Sequence, residues 1–109
     1  MTKIYFVWYK DVQSNEKMEE FDWDEANRLK NWLKHSVSTK EAEQVFLNKK
    51  SITLEDKVHS QIEIRYKILG ITKKNRKLHI TFTIRNNKIR IITARDQSKK
   101  ERKLYEKVK

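Results

Sequence analysis

The 109-residue sequence has no cysteine, no proline and a single glycine, Gly70. Without cysteine, neither a disulfide nor a thiolate metal site can form. The three histidines, His35, His59 and His79, stand too far apart in sequence for a paired-ligand spacing, so no metal and no cofactor is expected. With no proline and one glycine, turns must be made by Asn, Asp and Ser or by longer polar loops, which favours long regular elements. Long apolar runs are missing as well. Nothing approaches the roughly 18 residues of a membrane-spanning helix. The stretch Ile4 to Tyr9 is too short for a signal-peptide core and lacks a small-residue cleavage site, so a cytoplasmic protein is expected.

What is present suits one folded domain. Hydrophobic residues make up 37% of the chain and aromatics 10%, including three Trp, enough to build a core. The formal net charge is +11, and its position matters more than its size. Residues 1–20 and 21–60 are nearly neutral, so the whole excess falls in residues 61–109. Such a field attracts polyanions, nucleic acid first and an acidic protein second.

Hydrophobic periodicity places helices first and a sheet after them. Ile4 to Tyr9 suits a short strand. Asp24 can cap a helix to about His35, with Glu25 in its first turn, Lys34 and His35 in its last, and Ala26, Leu29 and Leu33 as its apolar stripe. Ser38 and Glu41 form a capping box for a second helix to about Leu47, burying Ala42, Val45 and Phe46. From Ser60 the period becomes two, predicting strands near Ile62 to Ile71, Leu78 to Arg85 and Lys88 to Ala94 in an antiparallel meander. Asn86 and Asn87 suit a two-residue turn that sets Arg85 opposite Lys88 and Ile84 opposite Ile89. Leu78, Ile80, Phe82, Ile84, Ile89 and Ile91 then face the helices. His79, Thr81, Thr83, Arg85, Lys88 and Arg90 form the other, open and cationic face. Ser98 and Glu101 cap a last helix over Lys99 to about Lys107, beside the sheet.

These residues carry a resemblance. Phe21, Trp23 and Asp24; Asn31, Lys34, His35 and Val37; Arg65, Tyr66 and Gly70; Arg90 through Arg95; and Glu101, Arg102 and Tyr105 follow in order the motifs of the BrnT family. From Phe21 to Glu106 the chain resembles that family, leaving residues 1–20 as an N-terminal extension before a toxin domain over 21–109. An added edge strand is the preferred reading of the extension, ahead of an antitoxin contact or a dispensable tail. The resemblance implies an α+β, RelE-like fold and cleavage of RNA. It also implies neutralisation by a BrnA-type ribbon-helix-helix antitoxin, with operator DNA bound only through that antitoxin. Ser36 stands where the family has Gly, Asn27 where it has Lys, Thr39 where it has Phe, and Asp96 and Gln97 where it has a basic and a small residue.

Metal-free RNA cleavage needs a base for the 2′-hydroxyl, cations for the phosphate and an acid for the leaving 5′-oxygen. Arg65, Arg90 and Arg95 are the phosphate candidates because a guanidinium donates two parallel hydrogen bonds. Their alternative is a solvated sheet edge or an ion pair with Glu101 or Glu106. Lys34, His35 and Tyr105 complete the catalytic candidates as base or acid, although His35 with Lys34 also suits a helix C-terminus. Candidate RNA contacts are His79, Arg85, Lys88 and Arg102, with Lys73, Lys74, Arg76 and Lys77 at a hairpin tip that reads equally as a solvated loop. Trp23 and Trp32 are expected in the core rather than as stacking platforms. A ribonuclease toxin that inhibits translation is the expectation; the alternative is a non-catalytic RNA-binding or autoregulatory module with the same fold.

Overall fold

The computed structural model describes residues 21–56 and 63–108. Among them the chain forms α1 (Glu25–His35), α2 (Thr39–Leu47), β1 (Ile52–Glu55), β2 (Tyr66–Ile71), β3 (Lys77–Arg85), β4 (Lys88–Asp96) and α3 (Lys99–Val108). The strands form one antiparallel sheet in the order β1-β2-β3-β4. This is the expected α+β fold, with a helical hairpin against the sheet and a C-terminal helix. The segment Ile4 to Tyr9 lies outside the described residues.

Local chemistry fixes the helices. The Asp24 carboxylate accepts the Ala26 N–H at 2.8 Å and starts α1. At its end Ser36 is left-handed, with φ 54° and ψ 39°. Its N–H donates to the Trp32 carbonyl at 2.9 Å and the Val37 N–H to the Asn31 carbonyl at 3.3 Å, a left-handed helix closure that usually takes glycine. In α2 the capping box is complete: the Glu41 N–H donates to Ser38 Oγ and the Ser38 N–H to Glu41 Oε1. Ala42, Val45 and Phe46 are buried as expected, and Phe46 meets Phe21 and Phe82 edge to face.

The sheet's helix-facing side holds the main core, where Ile68, Leu78, Ile80, Phe82, Ile89, Ile91 and Ala94 cluster with Val37 and with Ala42, Val45 and Phe46 of α2. Gly70 belongs to this layer. A Cβ there would collide with Ser51 Oγ and Val45 Cγ1, which explains the one glycine in the chain. The Asn86–Asn87 turn has positive φ at both residues and sets the anticipated register, Arg85 opposite Lys88 and Ile84 opposite Ile89.

Three expectations are corrected. The stripe Ala26, Leu29 and Leu33 is exposed, and Trp32 with it, because α1 docks through its opposite, polar side. Asn27 Nδ2 donates to the Ile91 carbonyl at 3.5 Å, and buried Asn31 accepts the Ala94 N–H at 3.2 Å. Two asparagines one turn apart thus satisfy backbone groups of the β4 edge that no strand among the described residues pairs. Second, a strand over Ile52–Glu55 was not anticipated: four residues between polar neighbours give too short a pattern to signal one. Third, β2 begins at Tyr66, not near Ile62; Ile62 itself lies outside the described residues, and Ile64 and Arg65 precede the strand.

Candidate functional site

Strict alternation along β4 would place Arg90 and Arg95, five residues apart, on opposite faces. A β-bulge prevents this. The register shifts between Thr81 and Phe82, so that Thr81 pairs with Thr93 while Phe82 pairs with Ile91, leaving Ile92 as the extra residue. His79 then faces Arg95, Thr81 faces Thr93 and Thr83 faces Arg90, all on the side away from the helical hairpin.

That side is covered at both ends, which corrects the expectation of a fully open face. Tyr105 of α3 packs on Ile52 and Leu69 to form a second small core, and Thr83 Oγ1 donates to the Ile64 carbonyl at 2.8 Å. Between these covers lies a cavity of about 300 Å³ lined by Asp56, Arg65, Lys67, His79, Thr81, Ile92, Thr93 and Arg95. Three sequence candidates meet there: Arg65, Arg95 and His79. Asp56, Lys67, Thr81 and Thr93 were not among the candidates, although the sequence placed Thr81 on this face and Thr93 in the Arg90–Arg95 motif. The alternation of β2 and β3 could have given Lys67 a place opposite Thr81, had the β2–β3 register been set.

His79 is 4% exposed, and among the described residues neither ring nitrogen has a hydrogen-bond partner. Burial and the nearby Arg95 push its pKa below the usual imidazole value, so the ring is neutral near pH 7. Glu101 Oε2 stands 3.6 Å from Nε2, beyond hydrogen-bond reach. Burial would raise the Glu101 pKa, but hydrogen bonds from Arg95 and the Ser98 N–H, with the charge of Arg95, bring it down to about 2. Arg95 meets Glu101 in a fork, at 2.9 and 3.0 Å, and donates to the Asp96 carbonyl at 3.0 Å. These bonds use three of the five guanidinium N–H groups, so two stay available for a phosphate.

The other candidates stand elsewhere. Arg90 reaches over the β4 edge to Asp22 at 3.3 Å and Asp24 at 2.9 Å and does not line the cavity. Lys34 is exposed on α1, His35 offers its carbonyl to Arg76, and Tyr105 is buried under α3. Arg85 pairs with Glu63 at 3.0 Å, while Lys88 is exposed opposite it. At the β2–β3 tip Lys73 and Lys74 are exposed. Arg76 is instead a clasp: it donates to the carbonyls of His35 and Ser36, to Glu41 and to Asp96, closing the end of α1 onto the sheet. Lys77 pairs with Glu106 at 3.2 Å. Together with Lys99, Arg102, Lys103 and Lys107 they line a second, basic hollow of about 550 Å³ along α3. Trp23 is half-buried against the core and donates to Glu43 at 2.8 Å.

The family model described as "Ribonuclease toxin, BrnT, of type II toxin-antitoxin system" matches residues 23–101. No curated protein gives a match. The matched span holds the whole of that cavity lining and stops within the first turn of α3.

Proposed function

The chain belongs to the BrnT family of ribonuclease toxins of type II toxin-antitoxin systems, and from that premise we propose that it cuts RNA, without a metal ion, in the His79 cavity. Stopping translation is the physiological effect, and a BrnA-type ribbon-helix-helix protein is the antitoxin, carrying the toxin to operator DNA. One observation supports this placement above the others: a neutral, buried imidazole without a hydrogen-bond partner among the described residues, walled by Arg65, Lys67 and Arg95. Buried polar atoms are normally paired, and the rare exceptions need a reason, for which a catalytic base is a sufficient one.

In the proposed step the substrate phosphate binds Arg65 and Arg95, whose guanidinium groups neutralise the charge that builds on its non-bridging oxygens. His79 accepts the 2′-hydroxyl proton as the 2′-oxygen bonds to phosphorus, and the bond to the 5′-oxygen breaks. Lys67 is the candidate donor of the proton that the leaving 5′-oxygen takes up. The products are a 2′,3′-cyclic phosphate and a 5′-hydroxyl. Both nitrogens of His79 are sealed from solvent, so the substrate reaches the ring as Arg95 swings toward the phosphate. Lys88 and the basic hollow along α3 extend the cationic surface for flanking RNA.

The rival, a non-catalytic binder, would draw on the residues that depart from the family pattern. Three of them have scaffold roles here: Ser36 closes α1, Asn27 bonds the β4 edge, and Gln97 donates to the carbonyls of Gly70 and Leu78. The test is RNA cleavage in EDTA by wild type, Arg65→Ala, Arg95→Ala and Arg90→Ala, with folding checked by circular dichroism. Cleavage leaving cyclic-phosphate ends, reduced on the order of 10² to 10³ in Arg65→Ala and Arg95→Ala and little changed in Arg90→Ala, is expected. Intact RNA with folded wild type would replace the nuclease reading by the binding one.

A further inference from the structure

The side of α1 opposite Asn27, Asn31 and His35 carries Leu29, Trp32 and Leu33, which are 54%, 53% and 71% exposed, with exposed Ala26 beside them. At 3.6 residues per turn these four fall in one stripe on the outside of the molecule. Burying large apolar side chains normally stabilises a fold, and a contiguous exposed group of them marks a contact surface. The rest of the helix shows what kind of contact. Lys30 and Lys34 run along one flank of the stripe, and among the described residues no carboxylate pairs with either. The other flank is the Glu25–Arg28 ion pair.

We propose that this face docks the antitoxin, through an amphipathic helix whose apolar side meets Leu29, Trp32 and Leu33 and whose acidic residues line the Lys30–Lys34 flank. The inference rests on the toxin-antitoxin reading and gives the partner an anchoring place apart from the cavity. A second copy of the chain fits less well, since a twofold contact would bring the lysine flanks of two molecules of charge +11 together. RNA fits less well too, because Trp32 is the one flat ring in the stripe and the two leucines beside it offer no surface for stacking successive bases. Anchored on α1, the antitoxin would leave the cavity to another of its segments.

The lack of cysteine supplies the test. A photo-crosslinker attached at Leu33→Cys has one site of attachment. Irradiated with the purified antitoxin encoded beside the toxin, it should yield crosslinks to an acidic antitoxin peptide. Crosslinks instead to a second copy, or to residues 1–20 of the same chain, overturn the proposal. In parallel, calorimetry on Leu29→Ser/Leu33→Ser should show at least tenfold weaker antitoxin binding, with RNA cleavage and melting temperature as in wild type. Unchanged affinity in that variant, beside intact cleavage, overturns the docking site and leaves the nuclease reading standing. A wild type that neither cuts RNA nor binds antitoxin overturns both.

Discussion

His79 is the residue on which the chemistry turns, and its surroundings set a testable pH dependence. A base must be unprotonated, and burial beside Arg95 holds the His79 pKa below the ordinary imidazole value of 6.5. The acid limb of the kcat/KM profile should therefore have its midpoint below 6.5 and vanish in His79→Gln. That variant should lose about 10²- to 10⁴-fold in kcat. Glu101 acts through its neighbours. Its negative charge raises the His79 pKa, so Glu101→Gln should move the acid limb to still lower pH while cleavage persists. An unmoved limb would mean that the carboxylate only holds Arg95 in place. Arg90 makes the contrast: its two aspartate partners stand at the start of α1, where an arginine ties elements together.

Among the elements, the two ends of α1 differ in how well they are suited. The left-handed Ser36 closes the helix where a glycine would do so without a Cβ penalty. Ser36→Gly should raise stability by about 0.5–1 kcal/mol in urea unfolding. Arg76→Met, which strips the clasp from the same corner, should lower it by about 1 kcal/mol by leaving the half-buried His35 carbonyl and Glu41 carboxylate without their donor. Elements with local signals were legible in the sequence: both capping boxes, the Asp24 cap, the Asn86–Asn87 turn and the inward residues of β3. What escaped was non-local. Nothing near Ile92 announces a bulge, yet it is the bulge that brings Arg95 beside His79 while Arg90 stays on the same face. The asparagine docking of α1 was hidden because its leucine stripe is the stronger periodic signal, and a stripe does not say whether its partner is in the same chain.

For the whole molecule, acid should act in two stages. His79 has a lowered folded pKa, so as pH falls from 6.5 the unfolded chain binds its proton first and stability drops. Glu101, Glu41, Asp96 and Asp24 also have lowered values, so their contributions hold above about 4.5 and fade as pH falls further, that of Glu101 lasting to about 2. Urea midpoints measured from pH 8 to 3 should decline gently below 6.5 and steeply below 4.5, and His79→Gln should remove the gentle part.

The docking of α1 through side-chain amides has a consequence for how the fold breathes. The docked side of α1 carries amides where a helix usually buries apolar side chains, so its opening free energy should be lower than that of global unfolding. In native-state hydrogen exchange the amides of α1 should exchange before those of β3, as a separate unit. A protein seated on its outer stripe should slow them toward the rate of the core.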